Sequence, residues 1–373
     1  METFYPTLSG EFARLLASLA GRRIAIVGHA RPDGDCIGSQ VALARVLAAL
    51  GFDVVCVNAD PVPRRLQFLA AGMTFLRTDD VVALPDDRVA IFVDCADHAR
   101  GGERLQLRYP SPVAVVDHHI SNVGYGVTNL IDRASAATCE ILAGVFFDND
   151  LPVDAQTAQA LYVGILTDTG QFRFNSTSRR CFVLAGELVS RGAQASEAGY
   201  QLYERETPGK IRLLQHFLAS LRLECGGRVC VGKLSAGIFE QTGTSAEDTE
   251  GLVDYARSID GVDIGALIEE KPDGSVKASL RAKEPAFRVD LVAAKFNGGG
   301  HACAAGLNLK SGAGTSPSAW SRRWPHKSSP STPFGNSNPC CFKHENWRGY
   351  SSSTNRGTIR RTTSSPACAA SLR

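Results

Sequence analysis

Between Arg22 and Asp168, short β-branched apolar runs alternate with longer stretches whose apolar positions recur at three- and four-residue spacing. Residues 24–27, 54–57, 89–93 and 113–116 read as strands, and 37–50 and 136–147 as helices. Gly51 is a C-terminal stop for the first helix, and Asp154 can cap a further one running to residue 167. Near-continuous apolar strands separated by helices predict a parallel sheet covered by helices. Beyond residue 180 a helical segment runs to 191. The polar stretch 204–210, which contains Thr207-Pro208-Gly209, then predicts a connector and a domain boundary before a helix at 211–221. Residues 228–234, 263–269 and 275–281 read as strands, the last two joined by the turn Lys271-Pro272-Asp273-Gly274. The expected fold class is α/β, an N-terminal parallel-sheet domain followed by a smaller C-terminal α+β domain.

Composition narrows this further. With 373 residues the chain has room for two or three domains, and 44% apolar and 21% charged residues exclude global disorder, collagen and coiled coil. After Lys310 the apolar period is lost and Ser, Pro, Thr, Arg and Asn dominate. That segment predicts a disordered basic tail or the product of a shifted reading frame. It holds nine Lys/Arg against Glu345, a surplus of eight, so the net +2 of the whole chain leaves the body at −6. A mildly acidic body makes long duplex DNA a poor partner, and attraction to nucleic acid must be local or come from bound cations. The eleven cysteines are odd in number and lack a C-x-x-C pair; Cys56, Cys95 and Cys230 lie within apolar runs. Reduced thiols in a cytoplasmic setting are expected. No basic-then-apolar leader opens the sequence and no run of 18 apolar residues occurs, so neither a signal peptide nor a membrane span is expected.

The chemistry gathers at strand ends. His29, Asp33 and Asp35 share one strand-to-helix turn shaped by Pro32 and Gly34; Asp94, Asp97 and His98 follow residues 89–93; Asp117, His118 and His119 follow 113–116. One acidic turn is as readily a helix cap, but acid- or His-rich termini on three successive strands all reach the same edge of a parallel sheet, where open α/β folds place ligands. Asp168 ends a helix, where a carboxylate opposes the dipole. Converging carboxylates repel unless cations neutralise them. Mixed Asp and His donors suit Mn²⁺ better than an all-oxygen Mg²⁺ site, and Cys36 and Cys95 read as packing residues. Two ions about 3.5–4 Å apart, bridged by an Asp and a hydroxide, are the physical solution for phosphoryl displacement. The reading is a dinuclear phosphohydrolase.

The motifs H-x-x-P-D-G-D-x-x-G-S from His29, V-D-x-x-D from Val93, V-D-H-H from Val116 and T-D-T-G from Thr167 resemble the DHH phosphoesterase superfamily. Phe296 to Gly306, with Gly298-Gly299-Gly300-His301, resembles the glycine-rich signature of its DHHA1 domain. Together they resemble the short NrnA-type branch, whose members are nanoRNases that also remove the 3′-phosphate of 3′-phosphoadenosine 5′-phosphate (PAP). The expected division is residues 1–200 as the DHH domain, 201–221 as a linker helix region, 222–310 as the DHHA1 substrate-binding domain and 311–373 as the tail.

The resemblance implies that His29, Asp33 and Asp94 hold one divalent ion, and Asp35, Asp94, His118 and Asp168 the other, with Asp94 shared. His119 would contact the scissile phosphate, Asp117 would orient a metal-ligating histidine, and Asp97 would do similar work or cap a turn. Gly298, Gly299 and Gly300 would let backbone N–H groups approach a substrate phosphate, with His301 adding a donor, and the guanidinium of Arg281 would grip a terminal phosphate; the alternatives are a glycine turn before a strand and an ordinary strand-end arginine. Phe172 and Phe174 read as core residues before base-stacking ones. Partners are short single-stranded oligoribonucleotides and small nucleotides, with two ions such as Mn²⁺ as cofactors, no membrane, and a homodimer left open. Cyclic dinucleotides, a pyrophosphatase-like reaction and a nucleotide sensor without turnover are the alternatives.

Overall fold

The computed structural model describes residues 3–81 and 87–310, so the expected tail at 311–373 lies outside the described residues. The chain divides into two compact units between Thr207 and Pro208, within the expected connector.

The first unit is built on six strands, β1 (Arg23–Val27), β2 (Asp53–Asn58), β3 (Phe75–Arg77), β4 (Val89–Val93), β5 (Ala114–Asp117) and β6 (Thr128–Ile131). They lie in the order β3-β2-β1-β4-β5-β6, and every pairing is parallel. Ile24 and Ile26 of β1 point into the larger core, whereas Ala25 and Val27 point into a second cluster with Phe92, Leu105 and Tyr109. Burial on both faces is why these strands read as unbroken apolar runs. β3 and β6 occupy the two edges and their residues are mostly half-buried, so they left no apolar run to find.

The helices Gly34–Ala49, Thr138–Asp148 and Ala155–Asp168 pack into the larger core. The first and third approach so closely that glycine is required at the crossing. A Cβ on Gly38 would stand 2.5 Å from the Ala160 carbonyl oxygen, one on Gly34 would strike Thr167, and one on Gly164 would strike the Cys139 side chain. As expected, Asp154 caps Ala155–Asp168, accepting the Thr157 N–H at 2.8 Å, and Gly51 ends the earlier helix with φ +88°. Gly34–Ala49 starts three residues earlier than its apolar spacing indicates, because Asp33 is its N-cap.

The second unit holds a mixed sheet of β7 (Arg222–Glu224), β8 (Val229–Leu234), β9 (Ile264–Glu270), β10 (Val276–Ala282), β11 (Gly299–His301) and β12 (Ala304–Leu309), in the order β11-β12-β10-β9-β8-β7. The expected turn at Lys271–Gly274 joins β9 and β10 as an antiparallel hairpin. The helix Pro208–Ala219 is not a free linker: it buries Leu213 and Phe217 in a core with Cys230, Leu234 and Leu252. Apolar side chains facing the sheet pull it into the unit, which its position after a polar connector did not reveal. Among the described residues no helix is long and apolar enough to cross a membrane.

Gly38→Val is expected to cost about 1–3 kcal/mol through overpacking, read as a lower urea midpoint for the first unit. At Gly299 an added Cβ meets nothing within 4 Å, so Gly299→Ala is expected to leave the midpoint unchanged.

Candidate metal centre

β1 and β4 are neighbours in the sheet although β2 and β3 lie between them in sequence, so the winding reverses there and a crevice opens beyond their carboxyl ends. His29 stands just past β1, Asp94 immediately after β4, and Asp117 ends β5 with His118 and His119 behind it. Asp94 adopts φ +57°, a left-handed conformation that Asp tolerates better than most residues, and its N–H donates to the Val116 carbonyl at 3.0 Å. Asp35 comes from the first turn of Gly34–Ala49 and Asp168 from the last turn of Ala155–Asp168. The glycine-lined crossing of these two helices is what carries both carboxylates to the crevice.

Three groups of donor atoms result, each with all its members within 4.8 Å of one another: His29, Cys36 and Asp94; Asp94, His118 and His119; and Asp35, His118 and Asp168. His118 Nε2 lies 3.6 Å from Asp94 Oδ1, 3.4 Å from Asp168 Oδ2 and 3.9 Å from Asp35 Oδ2. His29 Nε2 lies 3.3 Å from Asp94 Oδ2 and 3.7 Å from Asp33 Oδ1. Asp94 therefore stands between the His29 and His118 sides. Asp33 belongs to none of the three groups; its Oδ1 accepts the Cys36 N–H at 3.1 Å as the helix cap.

Each imidazole is held from behind. His29 Nδ1 donates to the Ala30 carbonyl at 2.9 Å and His118 Nδ1 to the Ser135 carbonyl at 3.3 Å, which turns both Nε2 atoms into the crevice. This is the arrangement that metal-binding histidines use. Asp117 accepts from His119 Nδ1 at 2.7 Å and from Asn122 Nδ2 at 2.6 Å, so the histidine it orients is His119. Arg100 Nη1 approaches His119 Nε2 at 3.2 Å. Asp97 caps the short turn that presents Arg100, accepting its N–H at 3.1 Å. Asp35 accepts the Thr138 and Cys139 N–H groups at 2.6 and 2.8 Å, and thereby supplies the cap that Ala137 cannot give to Thr138–Asp148.

The electrostatics are those of an acid cluster short of positive charge. Burial first, then the neighbouring Asp94 and Asp168 charges, push Asp35 well above the usual carboxylate range. Burial pushes Asp168 up to about 6 against the opposing pull of His118. Burial depresses His118 as well, but Asp168, Asp35 and Asp94 outweigh it and hold the imidazolium well above the usual His range. His29 is raised in the same way, burial being outweighed by Cys36, Asp33 and Asp94. Asp33 and Asp117 resist burial and stay low, through His29 and His119 respectively. Protons thus do in this cluster what a divalent cation would do better. The donor set, nitrogen and carboxylate oxygen with one sulfur, fits borderline divalent ions.

Arg100, Asn122, Ser135 and the two amides under Asp35 were not found from the sequence. None belongs to a recognisable motif: they act through backbone atoms, or through side chains 5 to 19 positions from the residue they touch. Cys36 was expected to be a packing residue, yet it shares a donor group with His29 and Asp94, whereas Cys95 sits in the smaller core cluster as expected. Phe172 packs against the large core and Phe182, while Phe174 is 41% exposed.

In the second unit, Arg281 is the penultimate residue of β10, and desolvation lowers its guanidinium below the ordinary Arg range despite nearby Asp254 and Glu250. Gly299 to His301 form β11, paired antiparallel with β12. Gly298 and Gly300 leave no room for a Cβ against the Gly306 and Ala304 carbonyls, so the hairpin itself needs them, whereas Gly299 faces open space.

Comparison with known proteins places this geometry. A model of the DHH family N-terminal domain matches residues 23–165, and a DHHA1 domain model matches residues 226–317. The chain is 32% identical over 298 residues to the bifunctional oligoribonuclease and PAP phosphatase NrnA of Thermus thermophilus, spanning 80% of this chain and 87% of that protein. It is 27% identical over 292 residues to the Bacillus subtilis protein of the same name, spanning 76% and 88%. An exopolyphosphatase-related protein of known structure from Bacteroides fragilis shares the fold, with a TM-score of 0.76 at 23% identity, covering 84% of this chain and 94% of that one. These matches make the chain a member of the DHH phosphoesterase family, in the NrnA-type branch that carries a DHHA1 domain behind the DHH domain.

Proposed function

We propose that the chain hydrolyses short oligoribonucleotides to nucleoside 5′-monophosphates and removes the 3′-phosphate of PAP to give AMP. In both reactions water forms a new P–O bond, the P–O3′ bond breaks, and O3′ leaves with a proton. The observation that carries this reading is the convergence of His29, Asp35, Asp94, His118 and Asp168 at the β1/β4 switch point, in a chain whose relatives named for these two activities match it along most of their length.

His29, Asp33 and Asp94 would hold one divalent ion. Asp35, His118 and Asp168 would hold a second, and Asp94 would be shared. Mn²⁺ suits the mixed imidazole and carboxylate donors. When bound, such ions supply Lewis acidity and lower the pKa of water toward neutrality. The protein's own groups do the rest. Asp117 and Asn122 hold His119, and Arg100 stands at its far nitrogen; this imidazole and guanidinium would meet the charge that develops on the phosphate. Asp35, anchored on two helix amides, keeps its carboxylate from swinging as charge in the site changes. In the DHHA1 unit, Arg281 would grip a substrate phosphate, and the N–H groups from Gly298 to Gly300 would assist it. The chain would need no membrane, and reduced thiols suit a cytoplasmic setting.

With Mn²⁺, the protein is expected to turn over the dinucleotide pApA and PAP and to leave a 24-mer RNA nearly untouched; His118→Ala should abolish turnover of both small substrates. Nucleotide binding with no product from wild type would contradict the reading. Asp117→Asn is expected to lower kcat about 10- to 100-fold, with the melting temperature little changed. Arg281→Ala removes a charge-assisted contact worth about 1.5–3 kcal/mol, so KM for pApA should rise about 10- to 100-fold with kcat less affected. Asp35, Asp168, His29 and His118 all bind protons more tightly in the metal-free fold than in an unfolded chain. The fold therefore loses their stabilisation as pH rises, while Asp33 and Asp117 change only below about pH 4. The melting temperature of metal-free protein is expected to fall between about pH 5 and 8, and Mn²⁺ should restore it most at the upper end. A rise over that interval without metal would count against it.

A further inference from the structure

The acids and imidazoles of the crevice do not account for one buried side chain that faces them. Cys36 lies in the first turn of Gly34–Ala49 and is fully buried. Its sulfur shares a donor group with an imidazole nitrogen of His29 and a carboxylate oxygen of Asp94, all within 4.8 Å of one another. The Ala30 carbonyl engages His29 Nδ1 at 2.9 Å, and His29 Nε2 faces Asp94 Oδ2 at 3.3 Å. The sulfur occupies space that the chain keeps open by having no side chain at residue 28: a Cβ on Gly28 would stand 2.5 Å from Cys36 Sγ. No cysteine joins the other two donor groups, Asp94–His118–His119 and Asp35–His118–Asp168. The two sides of the crevice therefore differ in softness, one combining nitrogen, oxygen and sulfur, the other nitrogen and oxygen alone.

We propose that Cys36 is a metal-facing sulfur donor at the His29–Asp94 side of the crevice, and that it biases this side toward borderline ions such as Zn²⁺ or Co²⁺ while the His118 side keeps the preference of a nitrogen and oxygen site. Thiolate favours the softer ions, whereas carboxylate alone favours Mg²⁺ and Mn²⁺. The inference rests on the metal reading of the previous subsection but concerns a residue that reading does not use.

Cobalt separates the two. Metal-free protein titrated with Co²⁺ is expected to develop visible ligand-field bands, which report occupancy of the crevice, together with a near-ultraviolet sulfur-to-cobalt charge-transfer band, which reports Cys36. In Cys36→Ala the charge-transfer band should vanish while the visible bands remain, and Zn²⁺ affinity measured by chelator competition should fall at least tenfold, with Mn²⁺ affinity changed less. Cys36→Ser, which keeps the side-chain size, should also lack the band, and thermal melting of the metal-free variants checks that both fold. Visible bands in wild type without a charge-transfer band, or a charge-transfer band that survives in a folded Cys36→Ala or Cys36→Ser protein, would overturn the role of Cys36 and leave the metal centre standing. No cobalt spectrum of any kind would overturn the metal centre, and the sulfur donor with it.

Discussion

The first unit depends on one close contact, the crossing of Gly34–Ala49 with Ala155–Asp168. Gly38 lets the first helix meet the Ala160 backbone, Gly34 leaves room for the Thr167 side chain, and Gly164 leaves room for the Cys139 and Asp35 side chains. The contact lies one turn from the chemistry: Asp35 follows Gly34, and Asp168 lies one turn past Gly164. A wider crossing would separate these two carboxylates and take Asp35 away from the Thr138 and Cys139 amides that hold it. Packing and site are one structure here, and the glycines of the first motif serve helix approach as much as turn geometry.

The second constraint is electrostatic. Asp35, Asp94 and Asp168 come together in a place shielded from water, where like charges cannot all persist. The fold answers partly with protons, raising Asp35 and holding Asp168 at about 6, and partly with the His29 and His118 rings. Such an arrangement is unfavourable by itself and becomes favourable once divalent charge is present. That difference is the physical content of calling the crevice a metal centre, and it explains why stability, metal uptake and pH are expected to move together.

Much of this was legible in the chain. The four central strands declared themselves as apolar runs because both faces of a parallel sheet are buried, and His29, Asp94 and His118 declared themselves by following those runs. Edge strands β3 and β6, only half-buried, carried no such signal. Arg100, Asn122 and the Ser135 carbonyl were invisible for another reason: each touches a motif residue that is 5 to 19 positions away in the chain, and a backbone carbonyl has no residue type to betray it. The glycine run at residues 298–300 resembles the DHHA1 signature, and two of its three members are required by the β11–β12 hairpin.

By itself, then, the order of apolar runs and charged termini determined a parallel α/β unit with its reactive groups at one edge, because burial and strand direction are properties of local sequence. The tertiary structure decided which atoms meet. It gave Asp33 a capping bond as well as a place 3.7 Å from His29, turned Asp117 toward His119, and drew the helix Pro208–Ala219 into the second unit. It also set the sulfur of Cys36 beside His29 and Asp94. Those outcomes depend on distances between elements remote in the chain, which packing sets and spacing along the sequence does not encode.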